Sequence, residues 1–271
     1  MGSVFSPYYH WSGRQDPENH VCINVALYGP QQHLWSMTER GRKALSRDPT
    51  RFVVGPSALS WDGSGLTVEI DAVTAPLPRR LKGKVRLVPE AMTDALTALD
   101  AASRHHWRPI APAARVEMAF SDPDLAWSGH GYLDMNYGDE PLEAAFRRWD
   151  WSRAMLPDGA AILYDMERRD GTARSLGFRI GRDGRVADFE PPARQDLPMG
   201  FWRVRRATRA EEGGARLVRK LEDAPFYARA ELETHLLGER VPAVHESLDL
   251  DRLRLPVVRA MLPFRMPRIW W

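Results

Sequence analysis

Apolar residues recur at every second position through much of this chain, in short runs bounded by turn residues. Val21, Ile23, Val25 and Leu27 fall on one face of a segment that ends at the Gly29-Pro30 break. Ser57 to Trp61 and Leu66 to Ile70 flank Asp62-Gly63-Ser64-Gly65, which reads as a hairpin. Lys84 to Val88, Val116 to Phe120 and Leu125 to Met135 continue the series. Ala161 to Glu167, Ala173 to Ile180, Phe201 to Ala207, Arg216 to Leu221 and Phe226 to Leu236 follow, with Asp170-Gly171 and Asp183-Gly184 as tight-turn signals between neighbours. Helical signals are few. Ser36-Met37-Thr38-Glu39 has the spacing of a capping box opening a short helix towards Leu45. Asp139-Glu140-Pro141 can start a second through Phe146, and Leu255 to Leu262 a third. Many strands at regular turn spacing predict an all-β protein of meandering antiparallel barrels with a few short helices. The break near Asn136 to Pro141 predicts two domains, 1–136 and 137–271.

Composition narrows the classes. At 271 residues the chain can bury a substantial core. Its 38 basic and 36 acidic residues give a net charge of +2, which offers no clustered basic excess for a nucleic acid. Cys22 is the only cysteine, so an internal disulfide and a thiolate metal cluster are both excluded, and a reducing compartment fits. Met1 to Tyr9 does not read as a signal peptide, and no apolar run approaches the roughly 18 residues of a membrane span. The expectation is a cytoplasmic protein, with peripheral membrane contact open to the Pro263 to Trp271 tail, where aromatics alternate with arginines. Ten tryptophans suggest an aromatic-lined β architecture.

The segment Ala126 to Asn136 is chemically the richest. Strand period two puts Ser128, His130, Tyr132, Asp134 and Asn136 on one face, and Trp127, Gly129, Gly131, Leu133 and Met135 on the other. The polar row either lines an interior or faces solvent; the pattern leaves both open. His105-His106-Trp107 is the second concentration. A metal site of His105, His106, His130 and Asp134 is disfavoured, because successive strand residues point opposite ways and no H-E-x-x-H is present. There is no G-x-S-x-G, Gly-rich phosphate loop or G-x-G-x-x-G either.

At these residues the chain resembles the carotenoid 1,2-hydratases (hydroxyneurosporene synthases) of phototrophic purple bacteria. The resemblance runs over nearly the whole length. It includes Gly2-Ser3-Val4-Phe5-Ser6-Pro7-Tyr8-Tyr9, Gly129-His130-Gly131-Tyr132, Gly138-Asp139-Glu140-Pro141-Leu142, Arg148-Trp149-Asp150-Trp151-Ser152-Arg153 and Pro263-Phe264-Arg265-Met266-Pro267-Arg268. It implies two lipocalin-like antiparallel β-barrel domains, no cofactor and no metal. It implies a cofactor-independent hydro-lyase that adds water to the terminal C1=C2 double bond of acyclic carotenoids such as neurosporene or lycopene, with substrate and water as its partners. By the same resemblance Asp134, in Tyr132-Leu133-Asp134, is the proton donor, and His105, Trp107 and Tyr132 are the other site residues. A non-catalytic lipocalin-like carotenoid carrier is the alternative.

The chemistry explains these residue types. Protonating an isolated trisubstituted alkene is hard, so the acid must still be protonated near neutral pH. An apolar pocket raises a carboxyl pKa by disfavouring its charged form, and Asp134 is expected in such a pocket. The rings of Trp107 and Tyr132 are expected to stabilise the tertiary cation, by about 1–2 kcal/mol each when desolvated. His105 is expected to orient the water or hold Asp134 in position.

Overall fold

The computed structural model describes residues 4–29 and 33–270; Pro30 of the expected Gly29-Pro30 break and Trp271 of the tail lie outside them. The chain divides into two compact units. The first comprises Met1–Pro89, Ala114–Gly131 and Arg259–Trp271; the second comprises Glu90–Ala113 and Tyr132–Val258. The boundary expected after Asn136 falls close to only one of the crossings, Gly131 to Tyr132. Two of the crossings, Ala113 to Ala114 and Gly131 to Tyr132, arise because the two longest strands, His105–Asp122 and Asp124–Gly138, each contribute to both units. Asp134 consequently belongs to the second unit, not to an N-terminal domain.

In the first unit an antiparallel meander runs through Leu45–Arg47, Arg51–Val54, Ser57–Trp61, Leu66–Val73 and Arg80–Pro89 to the latter part of His105–Asp122. The expected hairpin forms with Trp61 opposite Leu66. Its turn is fixed by Asp62, whose Oδ1 accepts from the backbone of Ser64 at 2.9 Å and Gly65 at 3.0 Å. Leu34, Ile70, Leu81, Met118 and Phe120 form the core. The capping-box expectation is not met. Ser36 and Met37 end a strand, His33–Met37, and Glu39 lies in another, Glu39–Arg40. The Glu39 carboxylate is fully buried and engaged by His20 (2.8 Å) and Arg268, so a tertiary ion pair overrides the local helix signal.

The second unit is built on a seven-stranded antiparallel sheet. In order across the sheet the strands are Val186–Asp188, Ala173–Gly181, Gly159–Arg168, Phe146–Leu156, Glu239–Asp249, Tyr227–Leu236 and Ala215–Asp223. Along Phe146–Leu156 residues alternate faces, and each face is covered. Ala154 and Leu156 join Leu163, Leu232 and Ala243 in a core overlain by the ribbon of Arg194–Leu197 and Arg206–Arg209. That ribbon is fastened by charge: Arg209 Nε donates to both oxygens of Asp165 (2.8 and 2.9 Å), and Arg194 reaches Asp150 at 3.4 Å. Trp149, Trp151 and Arg153 take the opposite face.

The all-β expectation holds, as do short helices at Leu142–Ala145 and Pro256–Met261. Barrel closure does not follow: among the described residues both large sheets are open paths of bonded strands. One edge of the seven-stranded sheet is the three-residue strand Val186–Asp188; the other, Ala215–Asp223, is interrupted by register shifts at Leu217/Arg219 and Lys220/Glu222. Short and bulged strands are poor partners for pairing and thereby protect an edge. Two central strands, Phe146–Leu156 and Glu239–Asp249, have no counterpart in the alternation pattern. Polar residues such as Asp150, Ser152, His245 and Ser247 take positions on the buried face of these strands, so the period-two hydrophobic signal is lost. Phe201 to Ala207, expected as one strand, turns at Phe201 and Trp202 and pairs only from Arg206.

Candidate active site

Tyr132, Asp134 and Asn136 share one face of the strand Asp124–Gly138, and that face is turned into the second unit. The Tyr132 ring lies 6.0 Å from Trp151, and Asn136 Oδ1 accepts from the Tyr164 hydroxyl at 3.4 Å. Ser128 and His130, earlier in the same row, are exposed. Asn136 is exposed too, so the row is solvated at both ends and half-buried only at Tyr132 and Asp134 in its middle.

Asp134 is the centre of this arrangement. The Trp107 indole Nε1 donates to Asp134 Oδ2 at 2.9 Å, and the Tyr132 hydroxyl donates to the same oxygen at 3.0 Å. Burial raises the Asp134 pKa, opposed by these two hydrogen bonds and by the charge of Arg153, and assisted by Glu246. Burial also raises the pKa of Tyr132, which keeps its hydroxyl a donor. Above Tyr132 sits Arg153, its guanidinium carbon 4.9 Å from the ring centroid and its Nη2 donating to the Pro112 carbonyl at 3.2 Å. Trp107 is only 1% exposed, its ring packed against Tyr164 (5.2 Å) and Phe178 (5.1 Å). Buried on this scale, the indole presents its N–H to Asp134 and no open ring face.

His105 shares the strand face of Trp107 and is buried, whereas His106 points away and stacks on Tyr137 at 5.1 Å. This settles which histidine lies on the site's side of the strand. Its ring is engaged by Glu140 (Nε2 to Oε1, 3.5 Å) and Phe146 (5.0 Å), not by Asp134. Desolvation lowers its pKa despite the nearby carboxylates of Asp100 and Glu140. Gly138 permits this packing: a Cβ there would lie 2.7 Å from both Arg104 O and His105 Nδ1. Among the described residues no group of three His, Cys, Asp or Glu side chains is placed to hold a metal ion.

A second carboxyl, Asp150, is buried where Asp134 is half-buried, and burial pushes its pKa up to about 7. It is not equivalent to Asp134. One oxygen accepts from the Ser247 hydroxyl and the other faces Arg194, so both are occupied. It also lies on the opposite face of the sheet, beneath the ribbon, where it fastens structure. Two residues of the site went unrecognised as such in the sequence, Trp151 and Arg153. Both fall in Arg148-Trp149-Asp150-Trp151-Ser152-Arg153, and two-residue spacing from Trp149 is the only local signal that they share a face.

A family model described as carotenoid hydratase CrtC matches residues 1–270. An acyclic carotenoid 1,2-hydratase of Thiocapsa roseopersicina is 54% identical over 99% of this chain and 68% of its own length. That of Rubrivivax gelatinosus is 50% identical over the same shares, and that of Rhodobacter capsulatus 43% identical over 99% of this chain and 96% of its own. Among solved structures, a protein described as an AttH from Nitrosomonas europaea superposes with a TM-score of 0.56 at 14% identity, covering 84% of this chain and 80% of the other, which speaks for the fold alone. A family model matching nearly the whole chain, and relatives of 43–54% identity over 99% of it, place the chain in the carotenoid hydratase family.

Proposed function

We propose that this protein hydrates the terminal C1=C2 double bond of acyclic carotenoids, with Asp134 as the acid. The observation that carries this reading is the distribution of hydrogen bonds on one carboxyl group. Both donors, Trp107 and Tyr132, are on Oδ2. In the neutral acid Oδ2 is then the carbonyl oxygen, and the proton resides on Oδ1, where it is free to be given away. Proton transfer to C-2 places the charge on tertiary C-1. The Asp134 carboxylate left behind is stabilised by the same two donors, which strengthen as its charge develops. Water adds at C-1 and its surplus proton returns to Asp134. His105 holds Glu140 and the strand bearing Trp107, a positioning role. Incubation of neurosporene or lycopene in ¹⁸O-labelled water tests the proposal: the product should carry one labelled hydroxyl at C-1, and unchanged pigment would overturn it in favour of a carrier.

The polyene body needs an apolar path leading to the acid. A groove of about 320 Å³ borders the site at Arg153 and continues along Met155, Val244, Pro242 and Val218. Glu231 and Glu233, which also line it, are paired with Arg219 and Arg240. Four neighbouring strands spaced ~4.8 Å apart give a span of about 14 Å, enough for part of a long polyene. An extra or missing methylene in such a groove changes binding by only about 1–3 kcal/mol, so several acyclic carotenoids should be accepted.

The acid must be protonated to act, so activity should be present below the Asp134 pKa and fall as pH rises through it. Removing a donor to the carboxylate raises that pKa further. Tyr132→Phe should therefore move the descending limb of kcat/KM to higher pH while lowering the plateau about tenfold, the cost of one lost hydrogen bond in the transition state. A limb that moves to lower pH contradicts the arrangement.

No helix among the described residues is long and apolar enough to cross a membrane. The first unit does expose aromatic side chains close to its termini: Trp11 at 55%, Phe264 at 72% and Trp270 at 71%. Tyr8 links two of them, with ring centroids 5.6 Å from Trp11 and 6.0 Å from Trp270. The tail is anchored rather than loose, since Arg268 and Ile269 pair with Glu39 and Arg40. Rings presented in this way suit the membrane interface where carotenoids reside. Co-sedimentation with phospholipid vesicles should fall several-fold in a Phe264→Ser, Trp270→Ser double variant. Equal sedimentation of variant and wild type would remove this assignment.

A further inference from the structure

The proposed reaction needs a group to receive the oxygen that becomes the product hydroxyl, and neither ring that contacts Asp134 is free to supply it. Trp107 and Tyr132 spend their polar hydrogens on Asp134 Oδ2. Their ring faces are committed as well: Trp107 is enclosed by Tyr164 and Phe178, and Arg153 covers Tyr132. His105 has its Nε2 3.5 Å from Glu140 Oε1 and its ring against Phe146, and no contact ties it to Asp134.

Trp151 is differently placed. It stands opposite Tyr164 on one neighbouring strand and Glu246 on the other, with Tyr132 6.0 Å away above the sheet. Two residues on, Arg153 opens the apolar groove. The Trp151 Nε1 atom is buried, yet it has no hydrogen-bond acceptor among the described residues. Neither the Tyr164 hydroxyl, which donates to Asn136, nor the Glu246 carboxylate, which binds Arg229 through one oxygen, accepts from it. A buried indole N–H without an acceptor is disfavoured in a structure selected only for stability, and such groups call for an explanation in function.

We propose that the Trp151 indole N–H is the hydrogen-bond donor that positions the attacking water, and afterwards the C-1 hydroxyl; this rests on the hydratase reading above. The steps balance without any redox change. The Asp134 Oδ1–H bond breaks as the C-2–H bond forms, leaving the charge on C-1. One lone pair of the water oxygen accepts from Trp151, and the other forms the C-1–O bond. The resulting oxonium gives one proton to the Asp134 carboxylate, which restores the acid. Trp151 therefore governs capture of the cation, not its formation.

That separation makes the test specific. In D₂O the Asp134 carboxyl exchanges and delivers deuterium to C-2. A cation captured by water becomes alcohol; one that is not captured loses a proton and returns as deuterated alkene. Wild type and Trp151→Phe are incubated with lycopene in D₂O, and the ratio of deuterated alkene to alcohol is read by mass spectrometry. The ratio should rise about tenfold in Trp151→Phe, which keeps the ring and lacks the N–H. It should stay near the wild-type value in Trp151→His, which keeps an N–H on its ring. Because a ratio is read, any folded fraction of a variant suffices. A ratio unchanged in Trp151→Phe, with both products falling together, would reduce Trp151 to a structural ring and overturn the proposal; so would a ratio in Trp151→His as high as that of Trp151→Phe. Asp134→Asn serves as the control on the underlying reading: deuterated alkene formed by that variant would overturn the acid assignment, whatever Trp151 does.

Discussion

Asp134→Asn leaves the protein folded and removes hydration activity by about 10³-fold or more, the upper part of the range for loss of a general acid. An amide is nearly isosteric with the neutral acid and can accept from Trp107 and Tyr132 through its carbonyl oxygen, so the local packing survives. What it lacks is a proton acidic enough for an alkene. Its stability should match or exceed that of the wild type, because the replacement abolishes the cost of burying an ionisable carboxyl whose pKa burial raises. Product analysis on acyclic carotenoid together with thermal unfolding checks both halves. A variant that retains a tenth or more of wild-type turnover would remove Asp134 from the chemistry. A variant that binds and releases pigment no differently from a wild type without turnover would instead identify a carrier.

Trp107→Ala should act through stability and chemistry at once. The side chain is among the largest fully buried groups in the molecule and fills the space between Tyr164 and Phe178. Truncating such a residue costs about 3–5 kcal/mol, the sum of lost transfer energy and the cavity left behind. Denaturant unfolding should register a loss of that size. Trp107→Phe separates the two effects. It retains much of the packing and deletes only the donor to Asp134, so turnover should fall about tenfold with a much smaller loss of stability. Should Trp107→Phe turn over at the wild-type rate, the Trp107–Asp134 hydrogen bond would have no part in transition-state stabilisation.

Asp134 and Asp150 illustrate why a buried carboxyl is not in itself an acid catalyst. Burial raises both pKa values, and Asp150 reaches about 7. They differ in the use of their oxygens. Asp150 has each oxygen tied to the protein and serves to hold the ribbon on the sheet, whereas Asp134 has both donors on one oxygen and Oδ1 turned to other use. Fold alone distinguishes them, since Asp150 lies on a strand of the seven-stranded sheet beneath the ribbon and Asp134 on a strand of the other sheet.

What the sequence by itself determined is whatever depends on neighbours in the chain. The Asp62 to Gly65 turn located the hairpin Ser57–Trp61/Leu66–Val73, and Val68, Ile70 and Ala72 on alternate positions of its second strand pack on the core. Asp62-Gly63 and Asp170-Gly171 marked turns through their own backbone chemistry. The row Tyr132, Asp134, Asn136 was legible for the same reason, and extended similarity to a family supplied the role for Asp134. The signals failed where tertiary burial replaced local preference. Glu39 entered an ion pair instead of a capping box, and Phe146–Leu156 was hidden because Asp150 and Ser152 occupy its buried face and leave no hydrophobic alternation to read. Only the tertiary structure decided which way the polar row faces. Trp107 and Asp134 are 27 positions apart, and no local rule brings an indole N–H to a carboxyl across that distance. Likewise only the folded sheet buries the Trp151 N–H beside Tyr132, for desolvation is a property of everything that surrounds a group and not of the residues that precede and follow it.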